Sequence, residues 1–315
     1  LVPVYPGDDL PFDEAKKLSE IDSRALNRMA RGWEGVRNGL REFFPVGIPA
    51  SNNWALTGNR TKSGRPIVCN DTHLALMVPN AWYMMHQKCP GFESAGVTAP
   101  GLPMVSLGYN GRIAWGATMV MADNQDIFVE QLKDVDGVPS YLCRGKWVPA
   151  RLKTETFRIR DGRTISRTIR HTAHGPVLND ALSVIPMPPE LPVQPLPVKS
   201  DYGLALSWGV GDLSRTLGAF LDVSRAQSAA DARKAFLGVE SIFLNIVYGD
   251  ADGICWQVSG KFPRRKKGTG QLPSPGWTGD SDWDGLTASD ANTHAENPAS
   301  GHIQGANHRT PEKNF

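Results

Sequence analysis

Ser51 is the first residue whose place in the sequence could matter to chemistry. It follows a loop broken by Pro45, Gly47 and Pro49 and opens the strand-like run Ser51-Asn-Asn-Trp54. A serine hydroxyl is a poor nucleophile until a base takes its proton. Pattern alone supplies no base, so by itself Ser51 reads as a turn residue. His73 stands alone further on, and a lone histidine is usually structural. Asn245, inside the apolar run Ile242–Tyr248, reads as a buried amide tying two strands together. Asp123 and Asp126 offer two carboxylates, which suit a hard cation when a backbone carbonyl joins them. His171 and His174 share that spacing, but the alternation around them reads as a strand end and argues against a metal. The basic run Arg264 to Lys267 reads as a solvated face. Cys69, Cys89, Cys143 and Cys255 contain no CxxC pair, which disfavours a zinc ribbon or redox motif and favours reduced, buried thiols.

These residues need elements to hold them. From about Phe12 to Phe44, Leu18, Ile21, Leu26, Met29, Trp33, Val36 and Leu40 recur near helical spacing, with charges between. The prolines and Gly47 then end the helix just before Ser51. From Ser51 the period becomes strand-like. Trp54–Thr57 and Pro66–Cys69 predict a hairpin around the turn at Asn59 to Gly64. Val105–Leu107 and Ile113–Trp115 predict a second around Tyr109-Asn-Gly-Arg112. Thr156–Arg160 and Thr164–Ile169 predict a third around Asp161-Gly162. Residues 181–199 are proline-rich and read as an extended connection. Ser228-Ala-Ala-Asp231 predicts a capped helix over Ala229–Leu237. Ile242–Tyr248 and Gly253–Val258 read as buried strands joined at Asp250-Ala-Asp-Gly253. The tail from Gly268 is rich in Gly, Pro, Asp and Trp and reads as loop. The sum is an α+β fold in which antiparallel sheet dominates.

Composition excludes several classes. The chain has 315 residues, 40% hydrophobic and 21% charged, which is ordinary for a globular protein and enough for one large domain or two small ones. A net charge of +2 points to neither a nucleic-acid nor a membrane-surface partner. No apolar stretch is long enough to span a bilayer. The chain begins at Leu1 without a signal-peptide pattern and reads as an internal piece of a longer product.

A family likeness then gives the candidate residues roles. Ser51-Asn-Asn-Trp-Ala-Leu-Thr-Gly58, Thr61-Lys-Ser-Gly64 and Asn70-Asp-Thr-His-Leu74 resemble the start of the second chain of penicillin acylases. Further matches follow in order: Trp82-Tyr83, Pro100-Gly-Leu-Pro103, Gly108-Tyr-Asn-Gly111, Ile113-Ala-Trp-Gly116 and Asp123-Asn-Gln-Asp126. Then come His174-Gly-Pro176, Asn245–Asp250, Pro273–Trp277, Ser300-Gly301 and Ala306-Asn307. The likeness runs from about residue 51 to 310. It implies an N-terminal-nucleophile hydrolase with a four-layer αββα sandwich. Residues 1–50 would be the helical end of a first chain with its processing loop. Residues 51–315 would be the N-terminal part of the catalytic second chain.

By that resemblance the precursor cuts itself between Ala50 and Ser51. The freed serine attacks, and its own α-amine serves as base. An α-amine with a reference pKa of about 8 suits that task. Asn245 and the backbone N–H of Met119 would form the oxyanion hole, His73 would orient or assist the serine, and Arg265 would organise the site near the asparagine. Leu74 and Leu107 would wall the acyl pocket and Ala117 would bind substrate. Leucines there leave more room than aromatic residues and no stacking partner, which predicts an aliphatic acyl group. Asp123, Asp126 and, more weakly, Asp250 would hold a structural calcium ion, and no organic cofactor is implied. The partners would be a small acyl amide and the chain's own first chain, as a heterodimer after processing. Location would be periplasmic or secreted. β-Lactams, acyl-homoserine lactones and cyclic lipopeptides all remain open as substrates.

One departure concerns the nucleophile itself. The family usually has glycine before it, and Ala50 predicts slower self-cleavage or none. A non-catalytic, unprocessed binding or scaffold homologue is therefore the competing reading. An unrelated β-rich module using the nine tryptophans for carbohydrate ranks last, because no sugar-binding pattern accompanies them.

Overall fold

The computed structural model describes residues 50–74, 76, 78–182, 201–209 and 213–307. The helical reading of 12–44 and most of the proline-rich stretch lie outside them. Ala181 and Leu182, read as the start of that extended stretch, instead end a short helix.

The chain divides into two compact units and visits each in turn. It enters the Ser51 unit with β1 (Ala50–Leu56), β2 (Ile67–His73), β3 (Tyr83–Cys89), β4 (Phe92–Thr98), β5 (Leu107–Tyr109) and β6 (Ala114–Met119). The second unit takes β7 (Gln125–Val135), β8 (Val138–Cys143), β9 (Lys146–Pro149), β10 (Arg151–Arg158), β11 (Thr164–Thr172), β12 (Gly175–Pro176), α1 (Leu178–Leu182) and β13 (Tyr202–Trp208). The Ser51 unit then receives α2 (Leu213–Val223), α3 (Ala229–Phe236), β14 (Leu244–Gly249) and β15 (Ile254–Val258). The chain returns to the second unit for β16 (Pro263–Arg265), β17 (Ser274–Pro275) and β18 (Trp283–Leu286), whose last residue belongs to the Ser51 unit. It closes there with β19 (His294–Glu296) and β20 (His302–Gly305).

In the Ser51 unit a seven-stranded antiparallel sheet, ordered β19-β15-β14-β6-β5-β4-β3, faces a three-stranded one, β2-β1-β20. Strand alternation explains the layering. Ile246 and Tyr248 of β14 turn to the helix side, packing with Trp115, Val105, Phe220, Val223 and Phe236. Val247 turns the other way and packs with Ala55, Ile254 and Ile303 between the sheets. A strand covered on both faces is largely apolar, which is why Leu244–Tyr248 reads as a buried run broken only by Asn245; Ile242, read into the same strand, precedes β14 and is exposed. Helices, large sheet and small sheet are thus three successive layers of the αββα arrangement, and the α+β class stands.

All three expected hairpins form, as β1–β2, β5–β6 and β10–β11. Ser228 caps α3, its hydroxyl accepting from the Asp231 N–H. Sequence reading missed α2, although Thr216, Ala219, Phe220 and Val223 carry the helical period and are all buried. The tail from Gly268 is not simply loop. β20 pairs antiparallel with β1, Leu56 opposite His302 and Asn53 opposite Gly305. Its pairing is through backbone, and Ile303 is its one large buried side chain, so composition concealed it.

The second unit is built on the sheet β13-β7-β8-β9, with β17 parallel to β7. Its core holds Val129, Leu178 and Leu204 in one cluster and Leu132, Tyr141, Ala150 and Val177 in another. His174 is buried here, stacked on Phe128 with ring centroids 4.0 Å apart. Its Nδ1 lies 2.7 Å from the fully buried Glu130 and its Nε2 3.0 Å from Asp282. Arg144 and Lys266 also bind Asp282. Burial alone would lower the His174 pKa. The hydrogen bond and charge of Glu130, then those of Asp282, outweigh it and raise it. A raised folded value means the contribution to stability is full below about pH 6.5 and is lost as pH rises through the folded pKa. The thermal midpoint of the full-length protein should therefore fall on going from about pH 6 to about pH 9, and His174→Gln should flatten that slope. Equal slopes in the two proteins would contradict the assignment.

Candidate active site

The register of β1 against β2 fixes where the candidate residues point. Ser51 pairs with Thr72, Asn53 with Asn70 and Ala55 with Val68. Ser51, Asn53 and Ala55 are buried while Asn52 and Trp54 are exposed, so the first set faces the seven-stranded sheet. Amides fill the polar end of that interlayer. Asn53 Nδ2 donates to the Asn245 carbonyl at 2.9 Å. Asn70 Nδ2 donates to the carbonyls of Asn52 and Ala117, and its Oδ1 accepts from the Ala117 N–H. The Asn70 side chain thus does for Ala117 what a neighbouring strand would do, at a position reached before β5 begins. Gly116 is required there, since a Cβ would lie 2.5 Å from the Asn70 Cβ. The Asn307 side chain reaches both the backbone nitrogen and the hydroxyl of Ser51.

Asn245 and Met119 sit on adjacent strands of the same unit. Asn245 is fully buried in β14, its Nδ2 3.5 Å from the Met119 carbonyl. Met119 pairs with Leu244, and the next pair is bonded, Val120 N–H to the Phe243 carbonyl. Antiparallel pairs alternate between bonded and non-bonded, so the Met119 N–H is directed away from β14. A buried amide and an off-ladder N–H are the kind of donors that stabilise a developing oxyanion.

The other expected residues are placed differently. His73 pairs with Ala50, one position from Ser51, so its side chain leaves the opposite face of the small sheet. There it lies 2.9 Å from Asp71 and is substantially exposed. The structure does not bring its ring to the serine side chain. Leu74 follows β2 at 40% exposure, whereas Leu107 packs against the helix-side core. Ala117 turns its methyl into that same core, and Asn70 engages its backbone groups. The sequence signal for Asn307 was its place in the Ala306-Asn307 match. Nothing local distinguished Asn53 or Asn70 as interlayer bonds.

Arg265 belongs to the second unit. Alternation along β16 exposes Arg264 and turns Arg265 inward. Its guanidinium binds both oxygens of Asp126 at 2.8 Å and approaches the Asp123 carboxylate at 3.4 Å. Trp283 Nε1 also donates to Asp126. Asp250 is in the Ser51 unit, where its carboxylate accepts from the N–H groups of Ala229, Asp252 and Gly253. In this structure the three aspartates are engaged by protein groups. Asp123 and Asp126 already meet a cationic side chain, and Asp250 caps a helix and closes a turn. All four cysteines are free, but only Cys255 is buried, correcting the expectation of buried thiols. Burial pushes its thiol pKa up to about 11, so it is an inert core residue.

A family model described as penicillin amidase matches residues 9–315. This chain belongs to the penicillin amidase family. Over its whole length it is 42% identical to the acyl-homoserine lactone acylase QuiP of Pseudomonas aeruginosa, covering 37% of that protein. It is 30% identical to the penicillin acylase 2 proenzyme of a Pseudomonas species, with 96% of this chain and 37% of the relative covered. Among solved structures it resembles the thermostable penicillin G acylase from Alcaligenes faecalis, with a TM-score of 0.68 at 23% identity, covering 84% of this chain and 45% of that one. That likeness is one of fold. The chain spans a little over a third of the length of these curated relatives.

The interlayer makes a specific demand on this penicillin amidase chain. Gly116→Ala would push Asn70 off Ala117 and should cost roughly 1–3 kcal/mol, read as a lowered denaturation midpoint of the full-length protein. An unchanged midpoint would contradict the close approach.

Proposed function

We propose that this chain is the core of an acylase that removes an acyl group from an amide, with Ser51 as nucleophile after cleavage of the Ala50–Ser51 bond. The observation that carries the reading is the register of β1. It turns the Ser51 hydroxyl into the interlayer, on the face whose next residue, Asn53, is bonded to Asn245. Family membership supplies the activity class.

The chemistry follows from the groups present. The freed α-amine takes the proton from Oγ, and Oγ bonds to the substrate's carbonyl carbon. The negative oxygen of the tetrahedral intermediate receives hydrogen bonds from Asn245 Nδ2 and the Met119 N–H. The amine returns the proton to the departing nitrogen as the C–N bond breaks. Water then hydrolyses the acyl ester and restores the serine. One residue supplies nucleophile and base, so their mutual geometry is fixed by covalent structure. The active protein would be a heterodimer with its own first chain, in the periplasm or outside the cell.

Replacing Ser51 by Ala should abolish hydrolysis of N-acyl substrates by the full-length protein. Turnover retained in Ser51→Ala would contradict the mechanism. The substrate class proposed is an N-acyl homoserine lactone or similar aliphatic acyl amide. Leu74, exposed just after β2, offers aliphatic contact and no aromatic stacking, and the 42% identical relative is named for that activity. Release from medium-chain acyl amides should outpace release from phenylacetyl amides in parallel assays. A strong phenylacetyl preference would contradict it.

A second reading, an unprocessed binding homologue, has one observation in its favour. Ala50 replaces the usual glycine and lies within β1, paired with His73.

A further inference from the structure

The Asn307 side chain meets Ser51 at both of the atoms that would react. Its Oδ1 accepts from the Ser51 N–H at 2.5 Å, and its Nδ2 donates to Oγ at 3.2 Å. It reaches them from just beyond β20, which the β1 pairing holds in place. Its φ of +59° lies in the left-handed region, where asparagine is among the few tolerated residues. Both the backbone conformation and the amide therefore favour this residue type.

We infer that Asn307 is a positioning residue for Ser51, holding its nitrogen and hydroxyl for cleavage after Ala50 and then holding the freed amine for acyl transfer. The inference rests on the reading of Ser51 as nucleophile. In the first step Oγ bonds to the Ala50 carbonyl carbon. The Ala50–Ser51 C–N bond breaks as the nitrogen takes the hydroxyl proton, leaving an ester. Water hydrolyses that ester to the Ala50 carboxylate and the free hydroxyl. The nitrogen gains positive character as it is protonated, and the Asn307 oxygen is an acceptor placed to stabilise it. Holding Oγ with the same amide restricts rotation of the serine side chain. After cleavage one amine N–H continues to donate to Oδ1, which orients the lone pair for the Oγ proton.

Two variants of the full-length protein separate this role from a structural one. Glycine adopts a positive φ freely, so Asn307→Gly keeps the backbone and removes the amide. Aspartate also tolerates that region and keeps an acceptor, but adds negative charge beside the amine. Intact mass over time reads cleavage after Ala50, and the pH profile of kcat/KM on a medium-chain acyl amide reads the base. Asn307→Gly should slow cleavage roughly 10- to 100-fold. Asn307→Asp should move the acidic limb of kcat/KM upward by about one pH unit, because a nearby carboxylate favours the ammonium form. Wild-type cleavage in the glycine variant, or an unmoved limb in the aspartate variant, overturns the inference while a cut and active wild type leaves the Ser51 reading standing. A wild-type protein that stays uncut and inactive overturns both.

Discussion

Two antiparallel sheets lie face to face around Ser51, and the hydrogen bonds that Asn53 and Asn70 make across the gap govern how they meet. An unpaired polar group in such an interior costs about 1–3 kcal/mol. At the apolar end Ala55, Val247, Ile254 and Ile303 fill the space with hydrocarbon. At the other end the space is polar, and side-chain amides bond across it. Asn70 binds Ala117 in the manner of a strand, and Asn53 binds the carbonyl of Asn245. These bonds set the distance and register between sheets and so fix where the first residues of β1 can sit. Ser51 is buried by the same arrangement that orients it.

Strand alternation then sorts the neighbours of Ser51. Thr72 shares its face and His73 does not, although His73 is only one position further along. A motif match places both residues near the serine in sequence without distinguishing the two faces. Pairing with Ala50 turns the histidine ring outward to Asp71. Asn307 arrives from the opposite end of the described chain because β20 completes the small sheet. A site assembled through four strands of two sheets has few local markers beyond the serine itself.

What was legible in the sequence follows from the range of each signal. Turn chemistry is local, so Asn110-Gly111 and Asp161-Gly162 located their hairpins correctly. A doubly covered strand is largely apolar, so Leu244–Tyr248 and the burial of Asn245 could be read directly, whereas Ile242, read into the same strand, precedes it and is exposed. β20 could not, because its partner β1 lies about 250 residues away and its own residues carry little apolar pattern. The basic run from Arg264 to Lys267 reads as solvated, and for three of its residues it is. Arg265 differs because alternation turns it toward Asp123 and Asp126, two carboxylates whose joint charge a guanidinium offsets in part. Two aspartates at that spacing look the same in sequence whether a metal ion or an arginine answers them.

The central claim is that Ser51 is held so that its own peptide bond can be broken and its nitrogen released as a base. Intact-mass measurement with N-terminal sequencing of the purified full-length protein tests it most directly. A chain beginning at Ser51 is the expected result. An Ala50–Ser51 bond that stays intact in protein that hydrolyses acyl amides would contradict it.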